Sequence, residues 1–142
     1  MVNQHPTVGL TPPFSGLRPT RQRLAVLDAV DSLGVFASAQ TVHRVLIEGG
    51  ESVGLSTVYR SLHRLAEYGT LDSVRGPDGE ELYRRCANPA GHVHLVCRGC
   101  GAAAEFPAGE IEILVARWAA NAGYSDSSHS LELFGLCPDC QE

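Results

Sequence analysis

No lysine occurs in the 142-residue chain, and all eleven cationic side chains are Arg. That usage reads as the mark of a GC-rich genome rather than of a mechanism. No apolar run approaches the ~18 residues needed to span a bilayer. The opening stretch, MVNQHPTVGLTPPFSG, lacks the basic head and apolar centre of a signal peptide, so the chain is expected in the cytoplasm, with no membrane partner. Neither an internal repeat nor a low-complexity tract is present.

With 44% apolar and 19% charged residues, the composition is globular. The length suits one ordinary domain or two small ones, and two half-size domains need a metal or a partner chain for stability. The net charge of −5 taken alone argues against nucleic acid, but its distribution does not. Residues 1–66 carry six Arg and four acids, and residues 67–142 carry five Arg and twelve acids. The first part is thus able to approach phosphates and the second is strongly acidic.

Five Cys, an odd number, stand in a chain expected to be reduced, so disulfides are not anticipated. Four form two Cys-x-x-Cys pairs, Cys97 with Cys100 and Cys137 with Cys140. The fifth, Cys86, precedes Cys97 by eleven residues. This pattern points to metal before redox chemistry.

The periodicity predicts three helices and a hairpin in the first part. Leu24, Leu27, Val30 and Leu33 mark a first helix from Thr20 to Gly34. Ser38 caps a second that carries Val42, Val45 and Leu46. Ser56 is the expected cap of a third, Thr57 to Tyr68. Leu71–Val74 and Glu81–Arg85 flank a Pro77-Asp78-Gly79 turn and read as a hairpin. Later, His94–Cys97, Ala102–Phe106 and Ser128–Gly135 read as strands. Glu110–Ala122 reads as a helix with Ile111, Leu114, Val115 and Trp118 on one face. The outline is α+β: an N-terminal winged helix-turn-helix, then an α/β domain with a three-stranded sheet. The expected divisions are an arm at 1–16, a winged helix at 17–86, a hinge at 87–92 and a second domain at 93–142.

Structural zinc takes four thiolates or imidazoles in a tetrahedron, and each Cys-x-x-Cys supplies two thiolates from one turn. Cys97, Cys100, Cys137 and Cys140 are therefore the expected zinc ligands, with 36 residues between the pairs. The metal would pin the later segment back onto the first hairpin of the second domain. A second constellation is Cys86, His92 and His94. His-x-His on a strand points both imidazoles to one face. A carboxylate would complete a mixed site suited to zinc. Asp72 is the candidate, with Glu80 and Glu81 as alternatives. Spacing alone leaves open a pair of exposed strand histidines beside a buried lone Cys. On the third helix Val58, Leu62, Leu65 and Ala66 share the core side, which turns Tyr59, Arg60, His63 and Arg64 outward toward base edges and phosphates. Arg18, Arg21 and Arg23, around the start of the first helix, are candidates for the DNA backbone or minor groove.

The run Gly54-Leu-Ser-Thr-Val-Tyr-Arg-Ser-Leu62, then Tyr83-Arg-Arg-Cys86, then His92-Val-His-Leu-Val-Cys-Arg-Gly-Cys100 and the closing Cys-x-x-Cys together resemble the ferric uptake regulator (Fur) family. The likeness covers nearly everything from Leu17 to Cys140. The Tyr-Arg-Arg-Cys run and Leu71–Asp72 are most similar to the family's actinobacterial zinc-uptake branch. The resemblance implies a homodimeric, zinc-responsive transcriptional repressor of zinc uptake genes. It would bind palindromic double-stranded operator DNA and act on no small-molecule substrate; it is not an enzyme. It implies two Zn2+ per protomer. The four Cys-x-x-Cys thiolates would hold a structural zinc, and Asp72, Cys86, His92 and His94 a regulatory one. The C-terminal domain would dimerise. Candidate DNA contacts are Arg18, Thr57, Tyr59, Arg60 and Arg64. Of these, Tyr59 and Arg60 match the family's base-contacting helix, and Arg18 its minor-groove position.

One departure stands out. Relatives carry a further site whose ligands interleave with the His-x-His, and those positions here are Gly91 and Val93. Glu112 and His129 match its other two ligands, so a third site is expected to be absent or vestigial. Rival readings are a family sensor of iron, manganese or nickel, and a constitutive DNA-binding protein with structural zinc only.

Overall fold

The computed structural model describes residues 16–85 and 92–141. Cys86, Gly91, most of the expected hinge and most of the expected arm lie outside the described residues.

Helix α1 (Arg21–Leu33) starts where the Thr20 hydroxyl accepts from the Arg23 N–H at 3.1 Å. It ends at Gly34, whose φ of 64° permits the left-handed C-cap. It buries Val26, Leu27, Ala29 and Val30. Leu24, expected on the core face, is exposed. A series three residues apart turns about 300° per step, so it drifts off one face within two or three steps. Ser38 caps α2 (Ala39–Glu48) by accepting from Thr41 N–H at 3.2 Å. Helix α3 (Leu55–Glu67) begins earlier than expected. Its cap is Gly54, whose carbonyl accepts from Thr57 and Val58 N–H at 3.1 Å each, and Ser56 sits inside the first turn. Glycine serves as a cap almost as well as a hydroxyl residue, so the serine signal misled by two positions. Val58, Leu62 and Leu65 are fully buried against α1 and α2. The His43 ring Nε2 donates to the Val53 carbonyl at 3.0 Å, which ties α2 to the turn that launches α3.

Strands β2 (Leu71–Arg75) and β3 (Glu81–Arg85) form the hairpin, with Asp72 opposite Arg84 and Val74 opposite Leu82. A two-residue strand, β1 (Ala37–Ser38), joins the other edge of β3. It is too short to leave a period-two signature.

The second sheet has β4 (His92–Cys97) at its centre. It is flanked by β5 (Ala103–Pro107), antiparallel, and β6 (Leu133–Gly135), parallel. His92, expected in the hinge, is already a strand residue. Of the expected Ser128–Gly135 strand only the last three residues pair. Helix α4 (Gly109–Asn121) crosses between β5 and β6 and buries no residue completely. Ile111, Leu114 and Val115 on its apolar face are half-buried, while Trp118 is exposed.

The two sheets meet at a small core of Phe36, Val74 and Val96, bordered by Leu82, Ala103 and Phe134. Two hydrogen bonds cross the same junction: Phe36 N–H to the Gly101 carbonyl, and Arg75 N–H to the Glu132 carboxylate, both at 2.9 Å. No described helix is long and apolar enough to cross a membrane.

Candidate metal centres and nucleic-acid interface

Strand β4 ends on Cys97, and the chain turns through Arg98 and Gly99 to Cys100. Gly101, with φ of 80°, closes the turn by donating its N–H to the Cys97 carbonyl at 2.9 Å. The parallel strand β6 delivers the second pair alongside. Arg98 N–H donates to the Gly135 carbonyl at 2.9 Å, and Cys137 opens a single 3-10 turn, Pro138–Cys140. The four cysteines are free of disulfides, and their sulfurs all lie within 4.8 Å of one another. The Cys100 and Cys137 sulfurs are 3.7 Å apart. A tetrahedral zinc with Zn–S near 2.3 Å has S–S edges of about 3.8 Å, so the arrangement fits that ion. The backbone N–H groups of Gly99 and Cys137 each donate to the Cys97 sulfur at 3.3 Å. Backbone N–H groups, that of Cys137 first, then Cys100 and to a lesser degree Gly99, pull the Cys97 thiol down to about 6. Cys140, crowded first by Cys137 and then by Cys97 and Cys100, is pushed up to about 12. Four sulfurs this close cannot all ionise unaided, and a divalent cation relieves that repulsion.

Asp72 on β2 meets His92 and His94 on β4. The two imidazole Nε2 atoms are 3.0 Å apart, and Asp72 Oδ2 lies 3.1 Å from His92 Nε2 and 3.2 Å from His94 Nε2. Both imidazoles are nearly buried, at 9% and 10% side-chain exposure. Three donor atoms in one small triangle exceed what shared protons satisfy. Tetrahedral zinc with 2.0–2.1 Å bonds has edges of about 3.3 Å, so this triangle also fits it. Burial, ahead of the opposing pull of Asp72, lowers the His94 pKa and keeps the ring neutral, the form that ligates. The fourth expected ligand, Cys86, lies outside the described residues. Glu80 and Glu81 are not in the cluster, and Glu81 instead pairs with Arg75 at 3.4 Å. The carboxylate that the sequence reading missed is Glu105. It faces His94 across β4 and β5, with Oε1 3.5 Å from Nε2. Strand register reveals it, and sequence spacing does not.

Two further groups enclose the cluster. The Phe36 ring stands edge-on to His94, with centroids 5.0 Å apart. The Arg84 guanidinium lies 6.0 Å from the Phe36 ring centre, and its Nη1 is buried with no hydrogen-bond partner among the described residues. Glu112 and His129 are both exposed, and Val93 is buried. Among the described residues neither Glu112 nor His129 joins a cluster of three ligands.

The outer face of α3 presents Tyr59, Arg60, His63 and Arg64 to solvent. Arg60 Nη2 donates to the Thr57 hydroxyl at 3.3 Å, which aims the guanidinium along the start of the helix. Arg64 is held by Glu67 at 3.7 Å and lies 5.8 Å from the Tyr68 ring centre, while His63 pairs with Glu67 at 3.2 Å. A groove between α1 and α3 adds Thr20, Gln22 and Arg23 to this surface. Arg18 is exposed, and its carbonyl accepts from Arg23 Nη1 at 2.6 Å. Arg21 instead points toward Glu51, 3.9 Å away.

The fold and its two ligand clusters define a metal-binding winged-helix protein in which one cluster bridges two lobes. The sequence matches the Ferric uptake regulator family over residues 14–134. It is 44% identical over 127 residues to the zinc uptake regulation protein of Mycobacterium tuberculosis, covering 89% of this chain and 97% of that one. A structure of a zinc uptake regulator complexed with zinc and DNA superposes with a TM-score of 0.70 at 28% identity, covering 89% and 85% of the two chains. The Vibrio cholerae ferric uptake regulator gives 0.64 at 32%, covering 86% and 93%. The chain belongs to the ferric uptake regulator family, a family of transcription regulators and not of enzymes.

Proposed function

We propose that the chain is a zinc-responsive transcriptional repressor that binds operator DNA as a homodimer and controls zinc uptake genes in the cytoplasm. The observation that carries this is the triangle of Asp72, His92 and His94. Asp72 belongs to the winged helix and the histidines to the second sheet, so an ion there fixes one lobe against the other. Similarity to a zinc uptake regulation protein supports zinc as that ion, and similarity to a zinc- and DNA-bound regulator supports the partner.

In this reading residues 17–86 form the DNA-reading domain and residues 93–142 the dimerisation domain. Each protomer holds two zinc ions. Cys97, Cys100, Cys137 and Cys140 hold the structural ion, and Asp72, Cys86, His92 and His94 hold the regulatory one. Zinc supplies a charge-neutralising, tetrahedral crosslink. The apolar side chains that a single protomer leaves exposed on the second domain, among them Ile113, Trp118 and Leu133, are what a second copy covers. Two α3 helices then stand one helical turn of DNA apart, roughly 34–36 Å, with Tyr59 and Arg60 toward base edges and Arg18, Thr57 and Arg64 toward the backbone.

The test is fluorescence anisotropy on a palindromic duplex selected in vitro by the zinc-loaded protein. Wild type binds only with zinc, and Asp72→Ala fails to bind at the same zinc concentration while remaining a dimer with one tight zinc. Equal binding with and without zinc would overturn the reading.

Glu105 supports a second reading. A carboxylate beside His94 can extend the site to an oxygen- and nitrogen-rich set suited to iron or manganese. Activation of Cys86→Ser by iron or manganese, and not by zinc, would favour it.

A further inference from the structure

We infer that the first Cys-x-x-Cys knuckle has a role besides holding an ion: it is the point at which the DNA-reading lobe docks, and Gly101 is the residue that permits the docking. This rests on the proposed repressor function and deepens it, because it makes the thiolate site part of the path from zinc to DNA.

Phe36 immediately precedes β1 and the Ser38 cap of α2, so it marks the entry to the helix-turn-helix. Its N–H donates to the Gly101 carbonyl at 2.9 Å, and the Gly101 N–H donates to the Cys97 carbonyl at 2.9 Å. Two hydrogen bonds thus run from a thiolate-bearing residue to the start of α2. A Cβ on Gly101 would collide with the Phe36 carbonyl oxygen and lie 3.3 Å from its carbon. The obstacle is backbone and cannot swing aside. Gly101 also has φ of +80°, but so do glycines elsewhere: Gly123, at +79°, meets nothing within 4 Å. Left-handed backbone and close approach are therefore separable at these two positions.

Phe36 is 3% exposed, and its ring packs on His94. One residue touches the knuckle through its backbone and the regulatory cluster through its side chain. With the dock intact, Asp72 is already beside His92 and His94 before an ion arrives. Without it, the ion itself must bring the lobes together, and both zinc affinity and DNA affinity fall.

The experiment compares full-length wild type, Gly101→Asn and Gly123→Asn. Asn tolerates positive φ, so the Gly123 variant carries the same backbone cost without the collision. Dimer mass and zinc retained against a chelator report the thiolate site. A chelator-buffered zinc titration reports the second site, and anisotropy on the selected duplex reports DNA. Gly101→Asn is expected to keep the dimer and the tight zinc, yet to need at least tenfold more free zinc to fill the second site and bind the duplex. Gly123→Asn should behave as wild type. The inference is overturned if the two variants match in second-site affinity, or if Gly101→Asn loses the tight zinc and the dimer as well. A wild type that binds DNA without zinc would sink the repressor reading alone, since the second-site titration still decides the docking.

Discussion

The Glu132 carboxylate accepts a 2.9 Å hydrogen bond from the Arg75 backbone N–H, across 57 positions of sequence. It fastens the segment leading into β6 to the end of β2 beside the hairpin turn, a second tie across the junction besides the one at Gly101. An exposed bond of this kind contributes about 1 kcal/mol, or about fivefold in an equilibrium. Glu132→Ala is expected to weaken zinc-dependent duplex binding by about that factor without lowering the melting temperature. Glu132→Gln, which keeps an acceptor oxygen, should retain most of the affinity in the same anisotropy assay.

The two ligand clusters should separate cleanly under mutation. Cys97→Ser removes the sulfur that receives two backbone N–H bonds. It is expected to abolish the tight zinc and to collapse the second domain, seen as lost dimer in light scattering. His94→Ala should release only the weaker zinc and leave the dimer intact. Loss of both ions in both variants would contradict a division of labour between the sites.

Acid should act on the regulatory cluster first. Burial lowers the His94 pKa in the folded chain, whereas the unfolded chain titrates near 6.5. Below about 6.5 the unfolded state therefore binds more protons, so stability falls as pH drops through that window and is level above it. Zinc binding requires the neutral ring and follows the same sign. Chelator-buffered titrations should show half-filling moving to higher free zinc as pH falls from about 8, because a thiol ligand must shed its proton, and more steeply once pH is below about 6.5, where the imidazole also competes for a proton. A profile without that steepening down to about pH 5.5 would show that His94 does not ligate.

Opposite faces of α3 should give opposite phenotypes. Leu62 is completely buried, and Leu62→Ala is expected to cost about 2–5 kcal/mol of stability in denaturant titration. Tyr59 is 42% exposed, and Tyr59→Ala should leave stability unchanged while weakening duplex binding at least tenfold.

What was legible in the sequence follows from which signals are local. The three helices, the hairpin around Pro77-Asp78-Gly79 and the paired Cys-x-x-Cys motifs are written in short spacings, and the structure forms each of them, with only the start of α3 displaced from Ser56 to Gly54. His92 and His94 are readable as a pair, because two imidazoles on alternate strand positions share a face, but the choice of Asp72 over Glu80 and Glu81 rests on how β2 approaches β4, which spacing does not encode. Glu105 was not legible, since it reaches His94 through the register of β4 with β5, which no spacing encodes. Strand β1 escaped because two residues carry no period. The exposure of Trp118 is not legible for a different reason: helical periodicity marks an apolar face without saying whether the same chain covers it.

The two Cys-x-x-Cys pairs bracket β5, α4 and β6, with Cys100 and Cys137 standing 37 positions apart. An ion that clamps such a loop can depart only when the loop opens, so its residence is governed by local unfolding and not by the lability of a metal–sulfur bond. On the proposed reading, an ion at Asp72, His92 and His94 closes no comparable loop within the second sheet and would exchange while both lobes stay folded. One polypeptide would thereby keep two zinc clocks, a slow one tied to the lifetime of the fold and a fast one free to follow the supply of metal.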